Sequence, residues 1–235
     1  MSRTGPDAPQ ERRAVRVAAG ILLSRVSGLV REAALAHVFG VGPHLDVFRT
    51  ALRGPNVLQN LLGEGTVSAA FIPPLSRMVA EGRRDDARAF AGAVLGLTLA
   101  AAAAISLVGV LAAPAIVSLL APGFLVGTPD GVDRYRLAVT AVRWIFPMAG
   151  LLVLSAWALG VLNAHRRFFL AYVAPVLWNV AIVAALVGGA LGLAGSGGSP
   201  AGPDRLLVLA CVGALVGGGL QFAVQLPGVL RALGG

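Results

Sequence analysis

Apolar residues run along this chain in six long stretches, 14–39, 46–78, 90–120, 137–162, 169–193 and 206–230. Each matches or exceeds the roughly 20 residues with which an α-helix crosses about 30 Å of hydrocarbon. None alternates in the way of the ~10-residue strands of a membrane barrel, so all six predict helices. The joints carry turn punctuation: Gly42-Pro43, Gly82 with charged neighbours, Ala121-Pro122-Gly123, Thr128-Pro129-Asp130-Gly131, and the Gly/Ser/Pro stretch 195–203. The predicted architecture is all-α and polytopic. A basic tail, 1–13, precedes one bundle of six transmembrane helices over 14–231.

The second stretch breaks the apolar pattern in an ordered way. At about 100° per residue, Asp46, Arg49, Arg53, Asn56, Asn60 and Glu64 fall within about 80° of one another on a helix. Charges at the bilayer centre cost roughly 2.5–3.5 kcal/mol each on insertion scales, so such a stripe should face protein or a water-filled cavity. Gly54-Pro55 lies within the stripe and predicts a kink or an interruption there, because proline removes a donor and crowds the preceding turn. Broken helices at membrane depth line cavities in transporters.

The first stretch adds to this face. Glu32 lies seven residues after Arg25 and shares its side of the helix, with Arg31 about 120° away. Gly20, Ser24 and Gly28 form a small-residue ridge along which another helix can approach. Asp46 and Glu64 are both candidates to neutralise Arg25 or Arg53. The structural alternative for these residues is snorkelling of arginines near span ends, or pairing that only fixes helix register. Taken as a set, the stripe favours function.

Composition confirms the solvent. Hydrophobic residues make up 57% of the 235 and charged residues 13%, with a mean hydropathy of +0.80, against about 25% charged in soluble domains. The formal charge is +8 and every basic residue is Arg. The arginines are scattered among apolar spans and form no basic face, which excludes a nucleic-acid module. Those in short loops cluster on alternate sides, with Arg3, Arg12, Arg13, Arg16, Arg77, Arg83, Arg84, Arg88, Arg166, Arg167 and Arg231 on one, which places both ends of the chain in the cytoplasm. Arg12, Arg13 and Arg16 precede an apolar run in the manner of a signal peptide, but Ser24-Arg25 ends that run with no small-residue cleavage site before it, so no cleavage is expected. Cys211 is the sole cysteine and closes no internal disulfide. His37, His44 and His165 show no metal-ligand or triad spacing and read as interfacial histidines, so neither an enzyme nor a cofactor or metal site is expected. A cavity with several arginines and fewer carboxylates suits a phosphorylated amphiphile, because guanidinium forks bind phosphate oxygens in bidentate fashion.

The segment "SRVSGLVREAALAHVFGVGPHLDVFRTALRGPNVLQNLLGEGTVSAAFIP", residues 24–73, resembles the opening of the MviN/MurJ lipid II flippases, in the multidrug/oligosaccharidyl-lipid/polysaccharide exporter superfamily. So do "LLAPGF" at 119–124, "VRWIFPMAGLLVLSA" at 142–156, "GVLNAHRRFFLAYVAPVLWN" at 160–179 and "GGGLQFAVQLP" at 217–227. The resemblance implies a multi-pass transporter of the bacterial cytoplasmic membrane. It would move the undecaprenyl-pyrophosphate-linked peptidoglycan precursor by alternating access, with membrane lipids and this lipid-linked pyrophosphate oligosaccharide as its partners and no nucleic acid. Arg25, Arg31, Asp46, Arg53 and Glu64 stand where the family pattern carries charge. The arginines would engage pyrophosphate, and the carboxylates, Glu32 among them, would pair with them or gate. Two departures stand out. Gln59-Asn60 replace an arginine pair usual before the acidic-glycine motif, and Arg49 replaces an apolar residue, so Arg49 is expected to restore charge to the stripe. The family also has about fourteen spans in two bundles, so a C-terminal lobe or a second copy is expected to complete the cavity. The residues by themselves leave open a carrier of another polyprenyl-linked glycan and a non-transporting scaffold of envelope synthesis.

Overall fold

A computed structural model describes residues 8–59, 68–126, 131–165, 169–193 and 199–234. The described residues form α1 (Ala8–Phe39), α2 (Pro43–Gln59), α3 (Ser68–Ala80), α4 (Arg84–Leu111), α5 (Ala113–Leu120), a 3-10 turn (Pro122–Leu125), α6 (Arg134–Ala164), α7 (Phe169–Ala190) and α8 (Pro203–Gly234). No strand occurs among them, in agreement with the all-α expectation.

The helix ends follow local chemistry. Gly40, at φ 59°, ends α1, and its N–H closes on the Ala36 carbonyl at 2.9 Å; a left-handed residue after the last turn is the usual place for glycine. Gly82, at φ 73°, does the same between α3 and α4. There Arg77 and Arg83 hydrogen-bond Glu81, at 2.8 and 3.3 Å, and Arg83 reaches Asp86 at 2.8 Å. Arg77 first and Arg83 second hold the Glu81 carboxyl below the usual carboxylate range. Asp133 caps α6 by accepting from the Arg136 N–H at 2.9 Å, which satisfies one of the orphan donors of the first turn.

Two predicted spans come out differently. The 90–120 stretch is two helices, α4 and α5, separated at Ala112 with Pro114 at the start of α5, where proline costs no helical donor. In the 46–78 stretch the described residues form α2 and α3. Among the described residues, four helices are long and apolar enough to cross a membrane: Arg84–Leu111, Arg134–Ala164, Val173–Ala190 and Pro203–Gly234. α1 has the length at 32 residues, but Arg25, Arg31 and Glu32 interrupt its apolar run. α2 has 17 residues, about 25 Å of helix at 1.5 Å per residue.

α6 is the axis of the bundle. It packs against α2, α3, α4 and α8, and 78% of its most apolar window is buried, against 17% for α4, which shows most of its surface outward. The largest cluster of buried side chains gathers Phe48, Leu52, Ile145, Met148, Ile182 and Leu207 from α2, α6, α7 and α8. A second, under α3, gathers Phe71, Leu75, Trp157 and Leu162. The Trp157 indole donates to the Ala91 carbonyl at 3.0 Å and fastens α6 to α4.

Close approach of α7 and α8 depends on missing side chains. A Cβ on Gly213 would lie 2.7 Å from the Ala185 Cβ, and one on Gly217 would lie 2.8 Å from the Trp178 Cα and 3.0 Å from its carbonyl. Backbone cannot move aside as a side-chain tip can. Gly217→Ala is therefore expected to cost about 1–3 kcal/mol by overpacking, a fall of several degrees in thermal unfolding in detergent. Gly92→Ala is the control: nothing lies within 4 Å of the added methyl, and its melting temperature should hold or rise, since glycine weakens a helix interior.

Candidate anion-binding wall and adjoining cavity

α2 sorts its residues by period. Leu45, Val47, Phe48, Ala51, Leu52 and Pro55 are buried against the bundle, and Asp46, Arg49, Arg53 and Asn56 are exposed on the other face. The polar stripe thus exists in its described part and points away from the core. Glu64 and Asn60 lie outside the described residues. An interruption of the helix at Gly54-Pro55 is not found: α2 continues through both to Gln59. The pair packs instead of breaking. Pro55 is buried, and a Cβ on Gly54 would lie 3.1 Å from the Phe146 ring of α6.

α1 lies on α7 along the ridge of small residues. Gly20 is buried and Gly28 sits beside Asn179, whose Nδ2 is 3.8 Å from the position of an added Cβ. This contact delivers Arg31 to a set of partners. Its Nη1 donates to Asn179 Oδ1 at 3.0 Å, and its Nη2 to Glu32 Oε1 at 2.7 Å. Its Cζ stands 4.7 Å from the centroid of the Trp178 ring, a cation–π contact. Asn179 is oriented in turn: its Nδ2 donates to Ser27 Oγ at 2.9 Å, and that hydroxyl donates to the Ser24 carbonyl at 2.8 Å. The Trp178 indole N–H points at Met148 Sδ, 3.1 Å away on α6. Arg31 Nε is buried and has no hydrogen-bond partner among the described residues.

Glu32 has a second partner. Its Oε2 accepts from Arg49 Nη2 at 3.2 Å, so one carboxylate bridges a guanidinium of α1 and a guanidinium of α2. Glu32, one of the candidates for charge pairing, thus takes this described pairing with Arg31 and Arg49. Arg25 and Arg53 are exposed on the same two helices, as is Asp46. Four arginines and two carboxylates thus stand on α1 and α2, and one of those carboxylates is divided between two arginines. The surplus is positive, as an anion site requires.

Behind Arg31 the helices part to leave a cavity of about 220 Å³, lined by Gly28, Arg31, Asn56, Leu152, Pro175, Trp178, Asn179 and Gln221. Five helices contribute to it. Trp178, Asn179 and Gln221 are residues that the sequence stripe did not identify. The signal for them was carboxamides within two apolar spans, Asn179 in "VLWN" and Gln221 with Gln225 in "GGGLQFAVQ", since a polar group at membrane depth needs a partner or a purpose.

A sequence model of the family described as lipid II flippase MurJ matches residues 35–235. The chain belongs to the MurJ lipid II flippase family. Among curated MurJ proteins, lipid II flippase MurJ of Burkholderia cenocepacia is 39% identical over 211 residues, covering 89% of this chain and 38% of that protein. The probable lipid II flippase MurJ of Haemophilus influenzae is 34% identical over 214 residues, covering 90% of this chain and 40% of its own length. That of Rhizobium tropici is 34% identical over 173 residues, covering 73% and 32%. This chain spans about two-fifths or less of these MurJ relatives. The match to the family model takes in Arg49 and Arg53 of the wall, whereas Arg25, Arg31 and Glu32 precede residue 35.

Asn179→Leu tests the Arg31 mooring. It keeps the volume and strips partners from Arg31 Nη1 and Ser27 Oγ. The expected cost is about 1–3 kcal/mol per group left unsatisfied, read as a lower melting temperature. A blue or red shift of tryptophan fluorescence should accompany it, as Trp178 loses the guanidinium on its face.

Proposed function

We propose that this chain forms the N-terminal lobe of a flippase that carries an undecaprenyl-pyrophosphate-linked peptidoglycan precursor across the bacterial cytoplasmic membrane. The observation that carries the reading is the wall of Arg25, Arg31, Arg49 and Arg53, tied across α1 and α2 by Glu32. Pyrophosphate is the complement of such a wall: it offers several oxygens to guanidinium forks and carries more charge than the single shared carboxylate. Membership of the MurJ family supplies the cargo class, since the relatives are named lipid II flippases. Alternating access needs two lobes that rock about a site between them. A second lobe, from further chain or a second copy, supplies the opposite wall. Transport of this kind breaks no bond, so the residues of the wall bind and release without acting as catalysts.

In the same reading, α1 and the α2–α3 pair cross the membrane beside the four strongly apolar helices and make six spans, their polar faces turned to the cavity. Burial against protein and water in the cavity offsets the cost of the charges. Glu32 takes part in gating: a pyrophosphate that displaces it from Arg31 and Arg49 frees a carboxylate to pair elsewhere. Arg49 supplies the charge that Gln59-Asn60 lack, since it already joins the Arg31 cluster through Glu32.

Alanine at Arg25, Arg31, Arg49 or Arg53 in the full-length protein should abolish rescue of cells depleted of their own flippase, while membrane insertion is unchanged. Affinity for undecaprenyl pyrophosphate should fall about tenfold or more, the worth of one charge-assisted hydrogen bond. Equal rescue by all four variants returns the wall to a structural role.

Orientation has its own test. Cys211 is buried, so introduced cysteines report without removing it. Arg83→Cys should react with an impermeant maleimide only after spheroplasts are opened, and Asp133→Cys in intact spheroplasts. The reverse pattern inverts the topology.

A further inference from the structure

The cavity behind Arg31 has a chemistry different from the wall in front of it. Its polar lining is one guanidinium and three carboxamides, from Asn56, Asn179 and Gln221, with the Trp178 ring, Leu152 and Pro175 as apolar surface. No carboxylate lines it, which disfavours a cation. A single arginine, already hydrogen-bonded to Glu32 and Asn179, makes it a poor seat for a second phosphate. Four polar side chains make it a poor slot for an acyl chain. Carboxamides offer both donors and an acceptor, and a flat aromatic face beside them suits the C–H surface of a ring. That combination matches a sugar bearing hydroxyl or N-acyl groups.

Gln221 is the telling residue. It is 6% exposed, it faces this cavity, and its side chain makes no hydrogen bond among the described residues. Its amide opens onto the cavity and is not among the side-chain groups that the fold buries without a partner, so it is available to a group that enters. Asn179 is already committed at both ends, to Arg31 and to Ser27. The groups left for recognition are therefore Gln221 at the back and Asn56 at the exposed rim.

We propose that this cavity is a sugar subsite, which takes the pyranose ring bonded directly to the pyrophosphate of the cargo lipid. The inference rests on the anion-binding reading of the arginine wall and extends it. Arg31 belongs to both places, so a group in the cavity adjoins the wall. The volume, about 220 Å³, is below the ~300–1,000 Å³ typical of sites for drug-sized ligands. It holds one ring, and the rest of the headgroup lies outside.

The test uses the full-length protein in nanodiscs and two probes: undecaprenyl pyrophosphate, and the same lipid carrying a single N-acetylated hexose. The parent should bind the glycosylated lipid about tenfold more tightly or better. Gln221→Leu should reduce that preference to about threefold or less with affinity for the bare pyrophosphate lipid retained, and Asn56→Ala on the open rim should act in the same sense. Retained affinity for the bare lipid also shows that each variant is folded. Absence of any preference in the parent overturns the subsite, as does a preference that survives both substitutions or a loss that falls equally on both lipids. Arg31→Ala separates the two ideas. It should weaken both probes together, and if it weakens neither, the wall reading fails whatever Gln221 does.

Discussion

The structure depends on how one guanidinium is held where α1 meets α7. Arg31 has a neighbour's carboxylate on one nitrogen, an Asn179 oxygen on another, and an indole under its plane. A largely buried guanidinium without partners is costly, so the arrangement admits little slack. Two of the three partners are consecutive residues of α7. A slip of α1 along α7 by one turn, about 5.4 Å, would lose both at once, and Arg31 thereby fixes the register of that helix pair, a role for which buried polar groups are well suited. The register passes onward. Gly217 of α8 sits against the backbone of Trp178, and one turn further along, Gln221 arrives at the cavity. Arg31, Trp178 and Gln221 are thus placed by one chain of contacts across three helices.

The same economy leaves charge over on the outer wall. Glu32 is the carboxylate between Arg31 and Arg49, and it cannot neutralise both. Arg25 and Arg53 stand exposed on the same helices. A fold built for stability alone would gain little from this excess, because exposed ion pairs contribute only about 0–1 kcal/mol and unpaired like charges repel. The excess makes sense if an anion arrives from outside to share it. α2 expresses the division in a single helix: Phe48, Leu52 and Pro55 fill the bundle, while Asp46, Arg49 and Arg53 turn away from it.

Much of this was legible in the sequence, and the limits have physical causes. Helical period alone sorted α2 into its two faces, because a 3.6-residue repeat is local. Joints at Gly42-Pro43, Gly82 and Pro122 held because turn chemistry is local too. The interruption expected at Gly54-Pro55 did not occur. Proline withholds one donor, but the Phe146 ring packs where a side chain on Gly54 would stand, and tertiary packing carries α2 through to Gln59. The 90–120 stretch read as one span since its hydropathy is continuous, while Pro114 divides the helix without changing that average. Pairing was the least legible feature. Glu32, one of the charge-pairing candidates, bridges Arg31 and Arg49, but which carboxylate meets which guanidinium was not legible, because ion pairing depends on how α1 and α2 meet and not on either helix alone.

Trp178, Asn179 and Gln221 illustrate a further limit. They are few among the apolar residues of their helices, so they form no long polar stripe of the kind seen on α2. Their meaning comes from convergence, α7 and α8 bringing them to a cavity that Arg31 of α1 also lines. The division between wall and cavity then carries a consequence for selectivity. Arginines attract any anion, because Coulomb attraction depends on charge and distance with little regard to shape. Neutral carboxamides discriminate by a different route: a ligand that fails to meet a buried amide leaves it unpaired, at about 1–3 kcal/mol for each group. A transporter that had only the wall would carry lipid phosphates in general. On the proposed reading, with Gln221 and Asn56 lining the same cavity as Arg31, attraction and discrimination would act on adjoining parts of one headgroup, and Arg31 is the residue through which both would pass.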